Sequence, residues 1–274
     1  GGTIIEIPRL FIDPVFLKSK LVHLKDVAVK QFWDKQIAST ADFHKSEMLN
    51  YFSSKFGAFI NNKMVRQIIG QRKSSFNFQD ILNQEKIILV NLSKGKIGEL
   101  NAYMLGLIII AKLQAAVLQR ANITENQRNA FFLYVDEFQN LVTDTFASLL
   151  SESRKYGLAV HLTNQYFSQL PESMRDAILG NVGTLLLFGV GAEDAEAFAK
   201  EFKPFTIDDI VNLEKFQFYL KLMIDGKMSE AFSGISLSPI PSNQSDITEQ
   251  IKIFSRLAYG RPELLITEQL KKSI

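Results

Sequence analysis

The amino-acid sequence predicts an α/β fold in which helices flank a parallel β-sheet. Two short, largely apolar runs, Phe131–Val135 and Leu158–Leu162, have the composition of strands buried on both faces of such a sheet. A helical pattern separates the two runs, as a crossover connection between parallel strands requires. Polar residues follow the end of each run directly, and in open α/β sheets the carboxyl ends of the strands form the edge where ligands bind.

Between residues 84 and 238 the pattern alternates between strand and helix. The predicted strands are Ile87–Leu92, Phe131–Val135, Leu158–Leu162 and Gly183–Val190. The predicted helices are Glu99–Arg120, Thr143–Tyr156, Pro171–Leu179 and Glu193–Phe202. This alternation is typical of βαβ units, which place helices on both faces of a parallel sheet.

A β-hairpin is predicted at the end of this region. Phe216–Ile224 alternates in the manner of a half-buried strand, and Asp225-Gly226 is the signal of a two-residue hairpin turn. Ser229–Ile235 is the expected return strand.

The two ends of the chain are predicted to be mainly helical. Residues 1–83 are predicted to be helical, because apolar residues recur at helical spacing with lysines between them. Residues 239–274 are predicted to form a linker and C-terminal helices. Ser236–Asn243 is rich in proline and serine, and Ile247–Ile274 reads as two helices broken at Gly260-Arg261-Pro262.

Composition limits the chemistry that the chain can perform. Of 274 residues, 46% are hydrophobic and 22% charged, which is ordinary for a globular protein, and the formal net charge of +2 does not by itself indicate a nucleic-acid binder. The absence of cysteine excludes disulfides, thiolate metal sites and cysteine nucleophiles. His23, His44 and His161 share no metal-ligand spacing. The longest apolar run, near Leu105–Ala111, is too short to span a bilayer, and no signal peptide is visible, so we expect a cytoplasmic chain.

The strongest chemical signal is the acidic pair Asp136-Glu137 at the end of a predicted strand. Nucleoside triphosphate hydrolysis needs one carboxylate near the Mg²⁺ shell and a second group that orients or deprotonates the attacking water. The alternative is that both are solvated acids at a helix start, where they complement the helix dipole.

The next predicted strand ends in Thr163-Asn164-Gln165, at the same edge of the sheet. A glutamine at this place can sense a γ-phosphate or position water. The alternative is a helix cap made by Thr163 or Asn164.

Arg154 and Lys155 lie in the last turn of the helix before that strand, where cations are favoured by the helix dipole. That interpretation is sufficient for Lys155. For Arg154 a second hypothesis is an arginine finger that reaches the nucleotide of a neighbouring subunit.

A phosphate-binding loop is missing from the sequence. Ser93–Gly98 follows a predicted strand and is basic, but it does not match the G-x-x-x-x-G-K-[ST] pattern, and Gly189-Val190-Gly191 carries no phosphate motif. Without the lysine and the nest of N–H groups of such a loop, tight ATP binding by this chain alone is not expected.

From Ile88 to Phe202 the sequence resembles the ATPase domain of the conjugative coupling proteins of type IV secretion systems, which are RecA-like motors of the HerA/FtsK kind. The resemblance covers about two-thirds of the chain. It rests on ordered motifs: Ile88–Gly95, Tyr134–Asn140, Leu150–Gly157, Thr163–Tyr166, Ile178–Thr184, Asp194-Ala195, the turn at Asp225-Gly226 and Tyr259–Pro262.

The resemblance implies a homo-hexameric ring that uses ATP and Mg²⁺ to transport DNA or a relaxase–DNA complex toward secretion-channel proteins. It implies that Asp136 is the Mg²⁺-associated Walker B acid, that Glu137 is the catalytic glutamate and that Gln165 is the polar sensor. In the family the phosphate loop precedes an all-α insert. Residues 1–83 then belong to that insert and residues 84–238 form the C-terminal part of the RecA-like domain. Any membrane anchor is expected in an N-terminal segment outside this sequence.

Two other functions remain open at this point. The chain is alternatively a catalytically silent interaction module that recruits secretion substrates or relaxase through its helical region. A generic P-loop signalling ATPase is a weaker hypothesis, because the amide after the second strand and the C-terminal hairpin fit motors better.

Overall fold

The structure is a computed structural model that describes residues 2–239 and 246–273. Its α-helices are α1 (Ile7–Ile12), α2 (Pro14–Leu21), α3 (Val27–Gln31), α4 (Asp42–Asn61), α5 (Lys63–Ile69), α6 (Phe78–Asn83), α7 (Lys94–Ile97), α8 (Glu99–Gln119), α9 (Asp144–Glu152), α10 (Glu172–Asn181), α11 (Ala192–Ala199), α12 (Ile207–Val211), α13 (Thr248–Tyr259) and α14 (Glu263–Ser273). Its strands are β1 (Phe131–Val135), β2 (Leu158–Leu162), β3 (Leu185–Leu187), β4 (Gln217–Lys221), β5 (Met223–Ile224), β6 (Lys227–Met228) and β7 (Phe232–Ile235). A π-helical turn spans Phe32–Ile37, and short 3₁₀ turns span Ile4–Glu6, Arg120–Asn122, Glu125–Gln127, Phe138–Leu141 and Ser153–Tyr156.

The chain divides into two compact units. The first lies within Gly1–Asn77, Val90–Leu105 and Asp246–Ile274, and the second lies within Phe78–Leu89 and Gly106–Ser245. The first unit is helical in its described residues, as the sequence predicts for the N-terminal region. The second unit contains all the described strands.

The helical unit has a small apolar core around Ile5, Ile266 and Leu270. Gly70, which follows α5, allows the chain to pass close to this core. A Cβ atom at Gly70 would lie 2.4 Å from side-chain atoms of both Ile5 and Leu270. The two C-terminal helices and the break between them, at residues 260–262, are confirmed. Part of the predicted linker, residues 240–243, lies outside the described residues.

Helix α8 is longer than the apolar run seen in the sequence. The helical segment Glu99–Asn122 is long and apolar enough, by length and composition, to cross a membrane, with a mean hydropathy of 1.6. The core helix of a soluble protein passes the same test. Several of its apolar residues are buried in cores of the second unit: Ile110, Leu113, Ala116 and Val117.

Strands β1 and β2 are confirmed at the residues that the sequence predicts. They pair in parallel, from Phe131 opposite Leu158 to Val135 opposite Leu162. One face of the pair packs on the apolar cores of this unit, to which Leu133 and Val135 contribute.

The prediction that β1 is buried on both faces is wrong, because its other face is exposed. The side chains of Phe132 and Tyr134 are 56% and 71% exposed. Tyr134 stacks on His161 of β2, with ring centroids 4.4 Å apart. The period of two along a strand places these side chains opposite the buried ones.

The predicted strand Ile87–Leu92 is wrong. The segment has no regular secondary structure, and the side chains of Ile87 and Leu89 are 89% and 78% exposed. A β-branched run becomes a strand only where another strand satisfies its backbone groups, and the described residues provide no such neighbour here.

The predicted four-stranded parallel sheet is likewise reduced to two parallel strands. Within Gly183–Val190 only β3 is a strand, and it pairs antiparallel with β4, which pairs antiparallel with β7. The hairpin turn is confirmed between β5 and β6, where Asp225 and Gly226 have φ values of +50° and +78°. The fold is α/β, with the parallel pair extending to the candidate site.

Candidate site at the ends of two parallel strands

The candidate site begins where β1 and β2 end side by side. The ladder continues one step past the strands, because the N–H of Thr163 donates to the carbonyl of Val135 at 3.0 Å and the N–H of Phe138 donates to the carbonyl of Thr163 at 3.0 Å. The hydroxyl of Thr163 donates to Oδ1 of Asp136. The in-register parallel pairing therefore brings Asp136 and Thr163 together at one edge.

Glu137 has a left-handed backbone, with φ +53° and ψ 42°. A non-glycine residue in this conformation costs on the order of 1 kcal/mol or more, and such strain is concentrated at functional sites. Local hydrogen bonds hold the turn. The N–H of Glu137 donates to Oδ1 of Asp136 at 3.1 Å, and the N–H and side-chain amide of Asn140 each donate to the carbonyl of Glu137 at 3.0 Å.

The carboxylate of Glu137 is held by two amide side chains. Nε2 of Gln165 donates to Oε1, and Nε2 of Gln139 donates to Oε2 at 2.7 Å. Both carboxylate oxygens are therefore oriented by neutral donors. Sequence reasoning missed Gln139. Its position two residues after the glutamate, in a tight turn, is the signal that would have identified it.

The oxygen-rich donor set at this edge fits a hard divalent cation. Asp136 is exposed and Glu137 is partly buried, and Thr163 adds a hydroxyl. Among the described residues no group of three or more His, Cys, Asp or Glu could form a complete metal cage. Mg²⁺ is commonly held by one or two carboxylates together with phosphate oxygens and water, so the residues fit the protein side of a magnesium–phosphate site.

Arg154 does not join this cluster. It is exposed in the 3₁₀ turn Ser153–Tyr156, which precedes β2, whereas Gln165 follows β2. With a rise of about 3.3 Å per residue, the five residues of β2 separate the two ends by about 16 Å. The structure thus brings together Asp136, Glu137 and Gln165 and leaves the fourth predicted residue at the other end of the strand.

One region of the chain matches the model of a known protein family. Residues 130–210 match the family model described as the TraM recognition site of TraD and TraG. No protein of curated function matches the sequence.

Two solved structures resemble the fold. The bacterial conjugative coupling protein TrwBdeltaN70, in an unbound form, aligns with a TM-score of 0.56 and 12% identity over 82% of this chain and 59% of that one. The plasmid coupling protein TrwB in complex with the non-hydrolysable GTP analogue GDPNP aligns with a TM-score of 0.55 and 13% identity over 82% of this chain and 58% of that one. The chain thus spans less than two-thirds of the length of these structures.

The sequence match and the fold matches both involve proteins of bacterial conjugation. Residues 130–210 are similar in sequence to a family of conjugative proteins, and the fold of the chain is similar to that of two solved conjugative coupling proteins. The matched sequence region, residues 130–210, lies in the second unit. This region contains β1, β2 and the candidate site between their ends.

Proposed function

We propose that this chain is part of a nucleotide-driven motor of conjugative transfer or type IV secretion. In this proposal a homo-hexameric ring in the cytoplasm couples ATP hydrolysis to the transport of DNA, or of a relaxase–DNA complex, toward secretion-channel proteins. The observation that carries the proposal is the hydrogen bond from Gln165 to Glu137, next to Asp136 and Thr163, at the ends of two parallel strands. This arrangement suits the water-activating side of a triphosphate site.

Each side chain has a separate role in the proposal. Glu137 orients the attacking water and accepts its proton, since it is partly buried and its carboxylate is fixed by two amides. Gln165, bonded to that carboxylate, responds to the γ-phosphate. Asp136 would hold the magnesium shell through water. When bound, Mg²⁺ would neutralise the charge that develops on the phosphate oxygens.

Arg154 acts on a different nucleotide in this proposal. Its guanidinium is exposed and lies at the far end of β2 from Glu137, so it is free to reach the site of a neighbouring subunit. Arginine fingers supplied in this way stabilise the charge of the phosphoryl-transfer transition state.

The phosphate-binding half of the site is proposed to lie elsewhere in the full-length protein. The sequence has no phosphate loop, and it spans only 59% and 58% of the two TrwB chains. TrwB was solved with a GTP analogue, which supports a nucleotide site in proteins of this fold.

The test is steady-state ATP hydrolysis by the full-length protein and its Glu137→Gln variant. Loss of a general base is expected to lower kcat by about 100-fold or more, with nucleotide affinity retained. Glu172→Gln, an exposed carboxylate in the first turn of α10, is the matched control and should retain the kcat of the wild type. Hydrolysis by Glu137→Gln at the wild-type rate would reject the role of Glu137.

A second candidate function is recruitment without catalysis. It is favoured by the family match of residues 130–210, which is described by partner recognition rather than by nucleotide chemistry. In this alternative the chain binds relaxase or another protein of the DNA-processing complex. A full-length protein that binds no ATP or GTP in calorimetry, yet binds the relaxase–DNA complex, would favour recruitment over the motor.

A further inference from the structure

Asp194 has a buried carboxylate that accepts hydrogen bonds from the backbone of the loop after β2. Its side chain lies in the first turn of α11 and is 4% exposed. Oδ2 accepts the N–H of Phe167 at 2.9 Å, and Oδ1 accepts the N–H of Ser168 at 2.7 Å. Both oxygens are therefore used to bind two consecutive backbone amides, and charge-assisted hydrogen bonds of this kind are stronger than neutral ones.

The same helix holds this loop by a second contact. The ring of Phe167 is 4% exposed and packs against the ring of Phe198, with centroids 4.6 Å apart. Phe198 lies four residues after Asp194, on the same face of α11. One turn of helix thus fixes both the backbone and the side chain of Phe167.

The segment bound by Asp194, Phe167-Ser168, begins two residues after Gln165. The start of the loop is fixed as well, because Thr163 continues the ladder to β1. Between the fixed residues Thr163 and Phe167 lie three exposed residues, 164–166. Because only three residues connect the two fixed positions, few backbone conformations are open to them. The fixed positions therefore determine the direction in which the side chain of Gln165 points.

We propose that Asp194 is the positioning residue for Gln165: by binding the amides of Phe167 and Ser168, it directs the Gln165 side chain onto the carboxylate of Glu137. The geometric part of this inference is independent of nucleotide chemistry. Its catalytic consequence rests on the function proposed above. There, a displaced Gln165 lets the carboxylate of Glu137 turn, which lowers kcat while nucleotide binding is retained.

The geometry is tested in this chain by NMR. In the wild type, the amides of Phe167 and Ser168 should be coupled through their hydrogen bonds to the carboxyl carbon of Asp194. Asp194→Asn should accelerate the hydrogen exchange of these two amides by about tenfold or more and should shift the side-chain amide signals of Gln165. Glu196→Gln, an exposed carboxylate on the same helix, is the control and should change neither.

Specific outcomes would overturn the inference. They are a wild-type protein without these couplings, or an Asp194→Asn variant in which the Gln165 amide signals stay where they are. If the variant does not fold, the absence of the couplings in the wild type would still overturn the inference. Gln165→Ala should leave the exchange of Phe167 and Ser168 unchanged, because the anchor does not depend on Gln165.

Activity of the full-length protein separates positioning from a general structural role. Asp194→Asn should lower kcat with KM unchanged, and adding it to Gln165→Ala should lower kcat little further, since both act through one contact. Independent, multiplicative losses would reject positioning. A full-length protein without any hydrolysis would reject the proposed motor function but leave the NMR result standing.

Discussion

Gln165 donates a hydrogen bond from its side-chain amide to the carboxylate of Glu137, a residue 28 positions earlier in the chain. The contact exists because β1 and β2 are parallel and in register, so residues that follow the two strands meet at one edge. The hydrogen bond joins a neutral donor to the carboxylate of Glu137, and the backbone of Glu137 is in the left-handed region.

Gln165→Glu should make the stability of the chain depend on pH. Two carboxylates would then face each other, and this repulsion raises the folded-state pKa of the pair above its unfolded value. The variant should therefore approach wild-type stability below about pH 4 and lose about 1 kcal/mol relative to it as the pH rises toward 8. Urea denaturation at the two pH values measures the difference. Gln169→Glu, an exposed change in the same loop, should show no such dependence, and an equal dependence in both variants would contradict the prediction.

Arg120→Met should destabilise the second unit strongly. Arg120 is 1% exposed and donates to the carbonyls of Leu82, Asn129 and Tyr156, the last two at 3.0 and 2.9 Å. Methionine fills much of the space but leaves these acceptors without their donor, which should cost about 3 kcal/mol or more. The free energy of unfolding from urea titration is the measurement. Arg154→Met, at an exposed site, should stay within about 0.5 kcal/mol of the wild type.

Gly157→Ala should lower stability at the start of β2. Gly157 has φ +71°, and a Cβ atom there would lie 3.3 Å from Nη1 of Arg120 and 3.4 Å from the carbonyl oxygen of Asn129. Left-handed strain and crowding together should cost about 1–2 kcal/mol. Thermal unfolding is the measurement. Gly95→Ala is the control, because Gly95 lies in α7 and a Cβ atom there would have no neighbour within 4 Å. A similar small effect at both glycines would show that the backbone at Gly157 relaxes.

Glu6 should make the helical unit sensitive to acid. Burial alone would raise the pKa of Glu6, but the N–H of Thr3 and the cations of Lys20 and Arg72 outweigh it, so the pKa lies below its ordinary value of 4.5. A lowered folded-state pKa means that the stabilisation is complete above the unfolded pKa and is lost as the pH falls through the folded one. Glu6→Gln should therefore cost about 2 kcal/mol near pH 7 and progressively less below pH 4.5.

The fluorescence of Trp33, the one tryptophan in the sequence, reports the unfolding of this unit in that experiment. Glu47→Gln is the control, because Glu47 is 59% exposed and its partner His44 is exposed too. If both variants lost the same stability at pH 7, the ion pairs of the buried Glu6 carboxylate with Lys20 and Arg72 would not be the cause.

The sequence located the parallel pair and three of the side chains that meet at its edge. Phe131–Val135 and Leu158–Leu162 are strands at the residues predicted, and Asp136, Glu137 and Gln165 come together beyond them. It did not identify Asp194 or Gln139 as their partners. Nothing in the local pattern around residue 194 distinguishes a carboxylate that binds two amides of a distant loop from one that complements its own helix.

What the sequence by itself determined are the features that depend on local composition: the apolar runs of β1 and β2, the hairpin turn at Asp225-Gly226 and the polar residues that end each strand. What only the tertiary structure decided are the features that depend on partners far along the chain. Residues 87–92 have the composition of a strand but form none, with Ile87, Leu89 and Val90 exposed, and β3 pairs antiparallel with β4 rather than parallel with β2. The physical reason is that a backbone becomes a strand, and a carboxylate an anchor, only when hydrogen-bonding groups from elsewhere in the chain meet it.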